Sequence, residues 1–276
     1  MKYIQIFTML SISSVVSSFV EKTIFSNNSR LVFPAGIEGT GHHYFLDFWK
    51  SFNFTRSFDT GLYRTSTNMN SGIETYNRDM KISKNKMDSL YEESIINPPS
   101  IIYPMGCESY PMLHGMYKAM HYPDLAMIAE NAEQSGIDLR VIYLKRSLKE
   151  LIISNTSHRR FHLSIDEKMI GHQEKQFMKY INVLFTNIGV LHSFFLEIDP
   201  KFIICHDYDK INDLDQLKSI SNFVSPTRNI YEEILSIYGK NVRNRSKNAE
   251  FEYENMGIIL DRLQKKINLI EEMFCN

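Results

Sequence analysis

Cysteine is scarce in this chain. Cys107, Cys205 and Cys275 are too few for a disulfide scaffold, and none lies in a CxxC pair that would suit a structural zinc site. Twelve glycines and eight prolines exclude a collagen-like or linker-rich chain. Neither sign of charge dominates: 31 basic and 32 acidic residues leave a net charge of −1. That removes the global basic field that holds nucleic acid and leaves room only for a local patch able to take a small anion. No His/Asp/Glu spacing resembles a metal site, and no Gly-x-Ser-x-Gly elbow occurs. What is present is an ordinary globular composition, 43% apolar and 23% charged over 276 residues. It excludes wholesale disorder and is enough for one large domain or two small ones.

The N-terminal stretch points to a compartment. Lys2 is followed by an uncharged run from Tyr3 to Val20 whose densest part, Ile4 to Ile12, suits the apolar region of a signal peptide. Five serines, Thr8 and Gln5 make it a weak membrane span. Sequons at Asn27, Asn53, Asn155 and Asn244 agree with passage through the secretory pathway as a glycoprotein. Residues 1–22 are therefore expected to be a signal peptide or signal anchor, a cleaved signal being favoured over a membrane anchor. A buried amphipathic helix is the competing reading.

Downstream, short apolar runs alternate with periodic segments. Strands are expected at Arg30–Ala35, ended by Gly36, and at Ser100–Pro104, Leu139–Leu144 and Phe202–Cys205. Helices are expected over Tyr122–Ser135, closed by Gly136, and over Leu148–Ser157, Asp166–Phe195 and Leu214–Phe223. Another helix should cover Met256–Phe274, with Ile259, Leu263, Ile267 and Ile270 on one stripe. Residues 56–93 read as a polar lid or surface helix, and 104–121 as a loop. Strands separated by helices imply right-handed crossovers and a mostly parallel α/β sheet in one domain, residues 30–245, with the helix of 250–276 packed on it.

In such a sheet, chemistry belongs at the carboxyl ends of the strands. After the first strand comes Gly36-Ile37-Glu38-Gly39-Thr40-Gly41-His42-His43. Three glycines let successive N–H groups point inward, and a following helix N-terminus adds partial positive charge, which makes a cradle for phosphate or sulfate. Gly36 and Gly41 occupy the glycine positions of a phosphate-binding loop, but His42 and His43 stand where Lys and Ser/Thr belong. An ordinary magnesium-dependent ATPase is thereby disfavoured; a tight turn flanked by packed histidines is the plain alternative. At the end of the best strand stand Lys145-Arg146-Ser147, with Ser154 eight residues beyond Arg146. A guanidinium and a hydroxyl two helical turns apart can face one anion, although an exposed Arg and Ser are commoner.

A strand, Gly-rich loop and helix, followed by a strand, Arg, seven residues and Ser, resembles the sulfotransferase family. The resemblance implies a three-layer P-loop-type fold with helices on both faces of the sheet. It also implies 3′-phosphoadenosine-5′-phosphosulfate (PAPS) as cofactor. Carried over, Gly36, Glu38, Gly39, Thr40, Gly41 and His42 would bind the 5′-phosphosulfate, and Arg146 and Ser154 the 3′-phosphate. Ile37 stands where the family loop has a Lys two residues before the Gly-Thr pair, and Leu148 where a Pro often follows the Arg. His42 is the residue able to donate toward the phosphosulfate in place of that Lys, with His43 divided between core and site.

Glu108 falls where an acceptor loop would put a general base, a role that a Glu often fills in secretory-pathway sulfotransferases. His114 and His121 have no distinguishing context, and His158–His162 is a compact basic run suited to an acidic acceptor or to nucleotide phosphates. The expected activity is sulfuryl transfer to a hydroxyl or amine of a small-molecule, glycan or protein acceptor, in the Golgi lumen or after secretion, with no nucleic-acid partner. The alternatives are a phosphotransferase using ATP and a catalytically silent nucleotide-binding protein.

Overall fold

A computed structural model describes residues 29–37, 84–85, 87–89, 92, 101–104, 108–110, 112–114, 119–121, 124–154, 173–210, 213–224, 231–232, 235 and 257–275. Among these the strands are β1 (Ser29–Ile37), β2 (Ile101–Pro104), β3 (Glu108–Tyr110), β4 (Met112–His114), β5 (Ala119–His121), β6 (Asp138–Lys145) and β7 (Ile203–Asp207). The helices are α1 (Leu125–Gln134), α2 (Leu148–Ile153), α3 (Gln173–Glu197), α4 (Leu214–Val224) and α5 (Gly257–Glu271). Short 3-10 turns cover Pro200–Phe202 and Tyr208–Lys210.

The main sheet runs β2-β1-β6-β7, with β3 also on β1, and every pairing in it is parallel. A parallel sheet is buried on both faces, which is why its strands read as near-continuous apolar runs. Leu31, Phe33, Ala35, Leu139, Val141 and Tyr143 face a core shared with α1, α3 and α5. The alternate residues Val32, Ile142 and Leu144 are buried as well. Arg30 reaches α4 from that other side, donating to the carbonyls of Phe223 (3.0 Å) and Val224 (2.9 Å) at the helix's C-terminal end. A cation there suits both the unpaired carbonyls and the negative end of the helix dipole.

Local chemistry explains the element ends. Asp124 caps α1 by accepting from Met127 N–H at 2.8 Å. At its other end Gly136 takes φ 72°, and Ile137 N–H and Gly136 N–H return to the carbonyls of Ala132 and Glu133. This is the pairing in which a glycine just past the helix is favoured, because the left-handed conformation strains any residue with a Cβ.

Several expectations are corrected. β1 does not stop at Gly36 but runs through Ile37, because Gly36 pairs with Ser109 on one side and Leu144 on the other. Residues 104–121 are not a plain loop: β2 and β3 lie in succession along the same edge of β1, and β4 and β5 form a separate antiparallel pair. Pro104, which has no N–H to donate, ends the first piece. Glu108 is accordingly a strand residue opposite Ala35, not a loop residue. The stretch 56–93 is not wholly a polar surface element, since residues 84–92 include helical positions and Met87 is fully buried in the core.

On α5 the buried stripe is Leu260, Ile267 and Glu271, continued by Phe274, while Ile259 and Ile270 are 46% and 36% exposed. Three cysteines do provide one disulfide, Cys205–Cys275. α3 is described from Gln173, so the expected N-cap at Asp166 lies outside the described residues, as do residues 1–28 with the whole proposed leader.

Candidate functional site

The order of the strands singles out one switch point. From β1 the next described strand of the main sheet, β2, lies on one side, whereas from β6 the next, β7, lies on the other. In an open parallel sheet the gap between two strands whose connections diverge, at their carboxyl ends, is where ligands bind. Here that gap lies between Ile37 and Lys145. The register fixes what surrounds it: Gly36 lies opposite both Leu144 and Ser109, and Lys145 opposite Asp207. The end of β1, Tyr110 at the end of β3, Arg146 after β6 and Tyr208 after β7 thus all belong to one edge of the sheet, and Glu108, opposite Ala35, lies two residues before it.

The Gly-rich segment starts at this edge. Gly36 itself is part of the strand, while Glu38, Gly39, Thr40, Gly41, His42 and His43 lie outside the described residues. His158–His162 does too. His114 and His121 fall on β4 and β5, opposite Ala119 and Met112.

Arg146 is mostly buried, its side chain 11% exposed. Its guanidinium lies 4.6 Å above the Tyr208 ring, and Nη2 donates to Glu150 Oε2 at 3.1 Å. Ser147 caps α2, its hydroxyl accepting from Glu150 N–H. Ser154 is the residue on which α2 ends, its N–H returning to the carbonyls of Glu150 and Leu151. Glu150 and Ser154 are thus one turn apart on α2, and Arg146, just before the Ser147 cap, reaches Glu150. Glu150 is the member that the sequence reading missed. The signal was present, since an acid four residues after a base is the ordinary helical ion pair. Glu150 is 38% exposed, so its end of the pair is open to water.

Beneath this edge lies a buried polar cluster. The Tyr143 hydroxyl donates to Glu271 Oε1 at 2.8 Å and lies 2.9 Å from His192 Nε2. With its one proton committed to Glu271, Tyr143 accepts from His192, which fixes the Nε2–H tautomer. Burial, followed by the nearby Lys145, lowers the His192 pKa to about 4, so its 3.9 Å approach to Glu271 is not an ion pair at neutral pH. Burial first, and then the Glu271 charge, raise the Tyr143 hydroxyl well above its usual value, keeping it a donor. Lys145 Nζ pairs with Glu271 Oε2 at 3.0 Å. Phe195 and Phe274 close over the ring of Tyr143 at 4.8 and 5.1 Å.

His206, on β7, also has its pKa lowered to about 4 by burial. In the amide orientation that satisfies both of its ends, Gln216 donates to His206 Nδ1 and accepts from Asp207 N–H. Among the described residues no group of three His, Cys, Asp or Glu could hold a metal ion, and no helix is long and apolar enough to cross a membrane.

These residues define an α/β protein with a parallel sheet and a topological switch point between β1 and β6 at its carboxyl edge. No protein family, curated protein or solved structure shows a significant match to the chain.

Proposed function

We propose that the chain is a sulfotransferase-like enzyme with a three-layer P-loop-type fold, acting in the secretory lumen and using PAPS. The observation that carries the reading is the switch point between β1 and β6. The Gly-rich segment and the Arg146 turn, each suited to an anion by its own chemistry, leave adjacent strands there. Gly39, Thr40, Gly41 and His42 would take the 5′-phosphosulfate on backbone N–H groups and one imidazole, while Arg146 and Ser154 would take the 3′-phosphate. When bound, PAPS supplies the sulfuryl group and a bisphosphate leaving group.

Glu108, two strands from β6 and level with Tyr143, is the proposed base for the acceptor hydroxyl or amine. The Cys205–Cys275 disulfide supports an oxidising compartment. Phosphoryl transfer from ATP is the competing reading, and a magnesium requirement is its signature.

A calorimetric nucleotide panel tests the proposal. Adenosine 3′,5′-bisphosphate is expected to bind without magnesium and on the order of tenfold or more tighter than AMP, as one charge-assisted contact predicts. ATP binding best, and only with magnesium, would replace this reading by the phosphotransferase one.

A further inference from the structure

The two-residue connection Arg146-Ser147 is bracketed by a single distant element. Leu148 N–H, an N-terminal donor of α2 with no intrahelical acceptor, donates instead to Gln264 Oε1 of α5 at 2.6 Å. The Gln264 amide nitrogen donates to Asn268 Oδ1 at 2.8 Å, which turns its oxygen toward Leu148. On the other side of the turn, Lys145 is held by Glu271, and Glu271 by Tyr143. Gln264 and Glu271 are two helical turns apart, so one face of α5 grips the residues immediately before and just after the turn. The end of α5 is tied in turn to β7 through Cys275–Cys205, three residues before the Tyr208 ring that carries the Arg146 guanidinium. Packing alone would need only the apolar residues Leu260, Ile267 and Phe274.

We propose that α5 is a clamp on the β6–α2 turn, with Gln264 and Glu271 as positioning residues that hold Arg146 where a 3′-phosphate meets it. This rests on the nucleotide reading above. A contact that fixes an anion-binding side chain through its backbone acts on the phosphate that the side chain reads and leaves the rest of the nucleotide alone.

Calorimetric titration of adenosine 3′,5′-bisphosphate and of AMP into the full, disulfide-intact chain separates the possibilities. Arg146→Ala is expected to erase the preference for the bisphosphate. Gln264→Ala is expected to narrow it roughly threefold or more, the scale of one net hydrogen bond, with AMP affinity unchanged. Gln264→Met keeps the bulk without an oxygen acceptor for Leu148 N–H and is expected to narrow the preference as Gln264→Ala does.

If Arg146→Ala erases the preference but Gln264→Ala leaves it at the wild-type ratio, or changes thermal stability alone, the clamp is overturned and the nucleotide reading stands. A wild-type ratio in Gln264→Met overturns the clamp equally. If Arg146→Ala leaves the ratio unchanged, or the wild-type chain binds neither nucleotide, both ideas fall.

Discussion

At the scale of single residues, the buried polar groups decide how the fold responds to its surroundings. His192 and His206 are both held neutral by burial, with pKa values near 4 against an ordinary 6.5. Between those values the unfolded chain binds more protons than the folded one, so stability falls as pH drops through the window from 6.5 to 4. From pH 7 to pH 5 the cost is on the order of 2 kcal/mol per histidine. Urea unfolding at pH 7, 6 and 5 is expected to show a stability loss that steepens below pH 6.5. A flat profile across that range would mean that neither ring is desolvated as described.

These histidines, and Glu271 with them, were not legible in the sequence. A lone charged or titratable residue on a helix reads as solvated until its partners are known, and the partners of Glu271 are Tyr143 and Lys145, more than a hundred residues away. Glu150 was legible and overlooked, since its partner lies four residues before it.

At the scale of elements, what periodicity could supply was largely correct. The strand at 139–144 lies within β6, and the helix expected at 214–223 matches α4, because both are long patterns buried by one or two apolar faces. Periodicity failed where a polar residue belongs to the buried stripe. On α5, hydrophobicity favours Ile259, Leu263, Ile267 and Ile270, yet the carboxylate of Glu271 is inside and Ile259 outside, which rotates the helix relative to the expected stripe. It failed again at β3, a three-residue strand too short to show a period.

The disulfide was illegible for a different reason. Three cysteines give three pairings, and only the fold brings β7 beside the end of α5. Cys205 and Cys275 are 70 residues apart in the chain, so closing that loop restrains the unfolded state by about 4 kcal/mol in the chain-entropy account. Cys275→Ser is expected to lower unfolding stability by about 2–4 kcal/mol, read as a drop in urea midpoint under non-reducing conditions. A midpoint equal to the wild type would show that the cross-link contributes nothing to holding α5.

For the whole molecule, the organising feature is the divergence of connections at β1 and β6. The sequence made the strands visible and the two motifs visible, but not that they are neighbours: adjacency in a parallel sheet is set by crossovers, and nothing local encodes it. Once β1 pairs with β6 over seven residues, from Arg30↔Asp138 to Gly36↔Leu144, the Gly-rich segment and Arg146 must emerge side by side. The opposite end of the same pairing carries a purely structural cluster. There Asp138 is gripped by Arg30 at 2.6 Å and by Arg140 at 2.9 Å, one buried carboxylate between two guanidiniums.

The central claim is that the two motifs are two arms of one nucleotide site, and calorimetric titration of Gly39→Val beside Arg146→Ala tests it most directly. A valine side chain at Gly39 blocks close approach of an anion to the backbone N–H groups, so that variant, shown to be folded, is expected to lose binding of AMP and of adenosine 3′,5′-bisphosphate alike. Arg146→Ala is expected to keep AMP binding and to lose only the preference for the bisphosphate. Wild-type affinities for both ligands in the folded Gly39→Val variant would contradict the account, since the segment after β1 would then be a turn and nothing more.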